Sequence, residues 1–251
     1  MINQVIRVAK ESVNFEELAS VGAPVIVEGA VRNMKAFTRW TDVYLNEVLS
    51  CAKAVVRFDD GLLGRLPFKA FLEYLRSPSH FKTSHGAMYL TDCYISPSFG
   101  DSWREALACD ATFPLDRRGS FAEWISLYAG PEGTMTRWHQ DIFATHTWLA
   151  QLRGEKSWAL CAPDSEFLDG KLASAVLPLE AILRAGDLIY LPPNWWHTVT
   201  NRSPTLSISG NFCTFAHAQK SLEEAISSGS SQRGIWIATW TAILHSTERS
   251  D

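Results

Sequence analysis

The 251-residue sequence has no CxxC pair, no run approaching twenty apolar residues and no excess of positive charge. Each absence removes a class of protein. The five cysteines (Cys51, Cys93, Cys109, Cys161 and Cys213) are scattered and odd in number, which argues against a disulfide frame or a zinc knuckle and favours reduced thiols in a cytoplasm. Without an apolar run of spanning length, neither a transmembrane helix nor a membrane partner is expected. The opening stretch "MINQVIRVAKESVNFEELAS" breaks its apolar positions with charges and contains no signal-peptide core. A formal net charge of −4 lacks the electrostatic footprint of a nucleic-acid surface. Repeats and low-complexity linkers are missing too.

What is present is core material. Apolar residues make up 46% of the chain, and ten tryptophans and thirteen phenylalanines supply large side chains for burial. Residues 1–120 mix elements. "APVIVEGAV" (23–31) reads as a buried strand ending at Gly29 and "GAMYLTDCYI" (86–95) alternates like another. "WTDVYLNEVLS" (40–50) repeats Val43, Leu45, Val48 and Leu49 at helical spacing, and "PFKAFLEYLRS" (67–77) does the same behind a proline.

From residue 121 to about 215 the pattern changes to eight short strands between turn residues. They are "FAEWISLYAG", "GTMTRWHQD", "THTWLAQLRG", "KSWALCAP", "ASAVLPLE", "GDLIYLPPN", "WWHTVTN" and "TLSISGNF". Such spacing predicts a mainly β fold, an antiparallel sandwich or barrel. Residues 216–251 read as helical, and Ile235, Ile237, Trp240, Ile243 and Leu244 form an apolar face. That face either packs on the barrel or forms a homodimer interface.

His139 and Asp141 stand two apart in a strand-like segment, a spacing that sends both side chains to one face. A carboxylate inside an apolar barrel is unfavourable unless paired or bound to a metal. One further histidine would complete a facial triad with open coordination positions for iron(II). Among His80, His85, His146, His197, His217 and His245, we favour His197, which follows a Pro-Pro corner that returns the chain across the sheet.

The ordered set "GTMTRWHQD…QLRGEKSWALCAP…AGDLIYLPPNWWHTV…SISGNF" resembles the cupin-like JmjC group of iron(II)- and 2-oxoglutarate-dependent oxygenases. Within that group it is nearest in style to the asparaginyl hydroxylase that inhibits hypoxia-inducible factor. Upstream, "APVIVEGAVRNMKAFTRW" and "MYLTDC" are also similar, so the likeness covers roughly residues 15–215. It implies a double-stranded β-helix (jelly-roll) barrel flanked by N-terminal α/β elements and C-terminal helices. His139, Asp141 and His197 would be the iron ligands and the catalytic set. Lys156 would pair with the distal carboxylate of 2-oxoglutarate, Tyr89 and Thr136 would donate hydroxyls to it, and Asn211 would line the same pocket. Dioxygen would be the second cosubstrate, and retention of Asp141 favours hydroxylation over halogenation.

One departure stands out. Where these enzymes carry an asparagine between the HxD and a glutamine of the next strand, this chain has Thr147, and the interval to Gln151 is about two residues longer. This leaves open whether Thr147 meets the cosubstrate, and whether His146 or Thr145 faces the substrate. The expected substrate is an amino-acid residue in a peptide or protein. The alternatives are a hydroxylase of a free amino acid or small natural product and a non-catalytic cupin-like binder. "SPSFGDSWREALACDATFPLDRRGS" (96–120) is the longest candidate lid, with Arg104, Arg117 and Arg118 as clamps or solvated charges.

Overall fold

The computed structural model describes residues 3–12, 14–81, 83–95, 101–111, 120–168, 171–173, 177–214 and 217–228. The N-terminal part contributes strands β1 (Ile6–Ala9), β2 (Val25–Glu28), β3 (Lys53–Phe58), β4 (Leu63–Pro67) and β5 (Met88–Tyr94). Eight further strands build the barrel. Its first half is β6 (Ser120–Gly130), β7 (Met135–His139), β8 (His146–Arg153) and β9 (Glu155–Cys161). After the small hairpin of β10 (Phe167–Leu168) and β11 (Lys171–Leu172) come β12 (Leu179–Arg184), β13 (Leu188–Leu191), β14 (Trp196–Asn201) and β15 (Thr205–Thr214).

The large sheet has the order β1-β2-β13-β8-β15-β6-β5-β3-β4, and the small sheet the order β12-β9-β14-β7. Four strands of the large sheet (β13, β8, β15 and β6) face the four of the small one, the jelly-roll arrangement. β5, β3 and β4 continue the large sheet at one edge, and β2 with β1 at the other. All barrel pairings are antiparallel; β1 and β2 pair in parallel.

Strand β8 shows why the sequence alternates so weakly. It is buried at every position except Arg153. Leu149 belongs to the cluster between the two sheets, with Ile189, Leu160 and Val199. Trp148, Ala150 and Leu152 point the other way, into a cluster with Leu18, Trp40, Leu45, Phe68 and Phe71. Helices α1 (Phe15–Val21), α2 (Lys35–Arg39), α3 (Asp42–Val48) and α4 (Phe68–Arg76) supply that second cover. A strand covered on both faces reads as a continuous apolar run.

Local chemistry sets the helix ends. Asn14 and Glu17 form a capping box at α1, and Thr41 accepts the Tyr44 amide at α3. Two expectations need correction. Val43 is 77% exposed, so the buried face of α3 is carried by Leu45 and the Leu49 that follows it. The strand expected in "ASAVLPLE" begins only at Leu179 and runs on to Arg184, because Leu183 and Ile182 pair with Lys156 and Ser157 of β9. Helix α5 (Ser102–Ala108) holds Arg104, which pairs with Asp101 at 2.7 Å and lies over the Trp103 ring. Most of the proposed lid, including Arg117 and Arg118, lies outside the described residues. So do His245 and the apolar residues from Ile235 to Leu244. The described tail is helix α6 (Ala218–Ser227), and no described helix is long and apolar enough to cross a membrane.

Candidate functional site

A cavity of about 820 Å³ opens between the sheets. His139 ends β7 and His197 lies directly opposite it on β14, with ring centroids 4.1 Å apart. Each imidazole is held by a local contact. His139 Nδ1 lies 2.8 Å from the Arg137 carbonyl and His197 Nδ1 lies 3.0 Å from the Trp195 carbonyl. A carbonyl only accepts, so both Nδ1 atoms carry a proton, and each Nε2 is turned towards Asp141. Burial pushes His197 down to about 4, against the opposing pull of Asp141, which keeps the ring neutral.

Asp141 completes the cluster by a different route from the one its spacing suggests. β7 ends at His139, and Asp141 lies beyond the ladder in extended backbone, heading a 3-10 turn (Ile142–Ala144). Its oxygens come within 3.9 Å of His139 Nε2 and 4.0 Å of His197 Nε2. One donor atom from each of the three residues lies within 4.8 Å of the others. Phe143 and Ala144 then adopt left-handed backbone, at φ 57° and 46°, a conformation that costs non-glycine residues of order 1–3 kcal/mol each. Packing holds them there: Phe143 is buried against Trp124, in a cluster that includes Ala225 of α6.

At the other end of the cavity Lys156 is fully buried. Its Nζ donates to Asn201 Oδ1 at 2.7 Å and to Tyr89 Oη at 3.1 Å. Asn201 in turn donates to Thr134, and Thr134 to the Pro131 carbonyl. Thr136 hydrogen-bonds Tyr89. Among the described residues Lys156 has no carboxylate partner, and burial lowers its ammonium to about 7. Gly130 makes room for this group, since a Cβ there would lie 2.6 Å from both Thr134 Oγ1 and the Tyr89 ring.

Strict alternation would send Thr136 and His139 to opposite faces. The register shows why both line the cavity: His197 pairs with His139 but Val199 with Thr136, so three steps on β7 match two on β14. The extra residue is a β-bulge that turns one strand's side chain back inward. Trp138 packs edge-on to Phe167, which stacks on Trp196. Gln140 donates to the Asn194 carbonyl at 2.7 Å and ties this loop to the Pro-Pro corner.

His146 opens β8 and points away from the cavity, so it does not face the substrate side. It is buried, with Nδ1 2.7 Å from Tyr190 Oη and Nε2 3.1 Å from His217 Nδ1. Thr147, next in the strand, therefore faces inward and bonds Asp141; Asn211 lines the same space on β15. His80 and His85 lie outside the cavity, His85 against Asp60 at 2.7 Å. Two neighbours went unnoticed in the sequence. Asn201 lies four residues after His197 on one strand face, a signal that parity alone contains. Trp158, two after Lys156, stacks on His197 at 5.7 Å.

Comparison with known proteins agrees with this architecture. The family model for the cupin-like domain matches residues 11–170 and 167–217. A zebrafish (Danio rerio) protein named 2-oxoglutarate and iron-dependent oxygenase JMJD4 is 28% identical over 70% of this chain and 50% of its own. The chicken (Gallus gallus) protein of that name is 27% identical over 59% and 41%. An Arabidopsis thaliana protein named arginine-specific demethylase JMJ22 is 25% identical over 80% and 44%. The chain thus spans about half the length of these relatives or less. With the family model covering most of the sequence and eight strands closing the barrel it describes, the chain belongs to the cupin-like family.

Proposed function

We propose that the chain is an iron(II)- and 2-oxoglutarate-dependent dioxygenase that hydroxylates an unactivated carbon of an amino-acid residue in a peptide or protein. The observation that carries this reading is the polarity of the cavity between the sheets. Two imidazoles and a carboxylate meet at one end, and the buried Lys156, with no carboxylate partner among the described residues, stands at the other. The donor set fits iron(II), since both Nε2 atoms converge with the Asp141 carboxylate and three donors leave coordination positions open. The far end fits a dicarboxylate, whose distal charge would satisfy Lys156.

In this reading His139, Asp141 and His197 hold the metal. Lys156, Tyr89 and Thr136 hold the distal carboxylate of 2-oxoglutarate, and Asn211 lines the pocket between. Bound iron supplies the means to couple oxidative decarboxylation of the keto acid by dioxygen to carbon hydroxylation. The chain's own part is to fix imidazole tautomers, to orient the keto acid by its far end, and to exclude water with the aromatic wall of Trp158, Tyr128 and Trp124. Residues 121–215 carry the chemistry, with 1–120 and 216–251 as supports. The names of the JMJD4 and demethylase relatives support a protein substrate. The five cysteines, none in a disulfide, fit a reducing compartment such as the cytoplasm.

The test is succinate release from 2-oxoglutarate against peptide and amino-acid pools, with mass spectrometry seeking a gain of one oxygen. His139→Ala and Asp141→Ala should abolish metal binding and turnover. Normal 2-oxoglutarate consumption by either purified variant would refute the assignment.

A further inference from the structure

The carboxylate of Asp141 is gripped from behind. Thr147 Oγ1 donates to Asp141 Oδ2, and Asn211 Nδ2 donates both to Thr147 Oγ1 at 2.8 Å and to Thr145 Oγ1 at 3.1 Å. Counting protons fixes the direction of this chain. The single hydroxyl proton of Thr145 goes to the Ile142 carbonyl at 2.8 Å, so its oxygen can only accept from Asn211. The NH2 edge of Asn211 therefore faces the two threonines, and both its protons are committed. Thr147, accepting from Asn211, turns its own proton to Asp141.

From this geometry we infer that Thr147 and Asn211 are positioning residues for the Asp141 carboxylate and do not hold the keto acid. The inference rests on the iron reading above. With its amide protons used, Asn211 has only a carbonyl oxygen left to offer, and a carboxylate of the cosubstrate cannot accept from it. Thr147 has no second proton. What the pair can do is lock the rotation of Asp141, leaving Oδ1 without a hydrogen bond among the described residues and aimed at the His139 side. The left-handed backbone at Phe143 and Ala144 folds the chain back so that Thr147 stands beside Asp141. Partners of this kind typically govern metal affinity by 10–100-fold.

The experiment is titration of metal-free protein with manganese(II) or cobalt(II), read by calorimetry or by the metal's own spectrum. Thr147→Val should weaken binding by about 10–100-fold, and Thr147→Ser should restore it to within a few-fold. Asn211→Ala should weaken binding less, and its effect should largely vanish in the Thr147→Val background, because both act through one hydrogen-bonded chain. At saturating metal neither variant should shift the Michaelis constant for 2-oxoglutarate. Wild-type metal affinity in both Thr147→Val and Asn211→Ala would overturn the inference. So would a raised Michaelis constant for 2-oxoglutarate in Asn211→Ala with metal affinity intact. Failure of the iron reading looks different: the wild-type protein would bind metal no better than His139→Ala. Should Thr147→Val not fold, Asn211→Ala alone carries the test.

Discussion

Replacing Lys156 with methionine should make the ligand-free protein more stable while destroying its use of 2-oxoglutarate. The side chain is fully buried, and burial lowers its ammonium from 10.5 to about 7. That drop corresponds to roughly 5 kcal/mol of penalty for holding the charge inside the fold. Methionine has similar length and no charge, so it removes the penalty. It also leaves the Asn201 carbonyl without its 2.7 Å donor, a loss of about 1–3 kcal/mol. The net gain is about 2–4 kcal/mol, or on the order of 10 °C in midpoint for a chain of this length. The sign with pH follows from linkage. The unfolded lysine keeps its proton up to about 10.5 while the folded one loses it near 7. The penalty is therefore full below about pH 7 and fades as pH rises towards 10.5. Unfolding midpoints of metal-free wild type and Lys156→Met, measured from pH 6 to 9.5, should converge with rising pH. Equal stability at pH 6, or parallel pH profiles, would refute the claim that an uncompensated charge is buried there. In the same protein the Michaelis constant for 2-oxoglutarate should rise steeply with iron affinity unchanged.

Two further predictions concern the supports of the site. Gly130→Ala would place a methyl 2.6 Å from Thr134 and Tyr89, so it should lower stability by about 1–3 kcal/mol and raise the Michaelis constant for 2-oxoglutarate as Tyr89 is displaced; denaturant titration and steady-state kinetics check both, and no change in either contradicts the close approach. His146, which burial pushes down to about 3 from 6.5, stays neutral in the fold where the unfolded chain would take up a proton. Stability should thus be lost as pH falls from 6.5 towards 3. His146→Phe should flatten that acid limb in unfolding midpoints between pH 4 and 7, and an unaltered slope would show that His146 is not its source.

Much of the barrel was readable because its inward and outward positions alternate and its turns carry glycine, proline or asparagine. Seven of the eight runs coincide with strands; the eighth was displaced because the extent of β12 is set by its pairing with β9, which local pattern does not encode. The proximity of His139, Asp141 and His197 followed from spacing, yet Asp141 reaches the others from a loop whose left-handed residues, Phe143 and Ala144, no propensity would suggest. Asn201 was legible by parity and missed because asparagine at a strand end ordinarily marks a turn. The contact of Thr147 with Asp141 was hidden, because it depends on His146 opening β8 and so on which face each residue takes.

The bulge in β7 means that a single ribbon of chain serves both ends of the cavity. Its reading frame is therefore set from two directions at once. Removing one residue between Thr136 and His139 would restore a regular ladder with the two residues two apart, so that both would still face the chamber. A shortened segment that kept both ligation and keto-acid capture would show that the bulge serves to bring an odd spacing onto one face, and loss of either would show that the shortened ladder had not closed up.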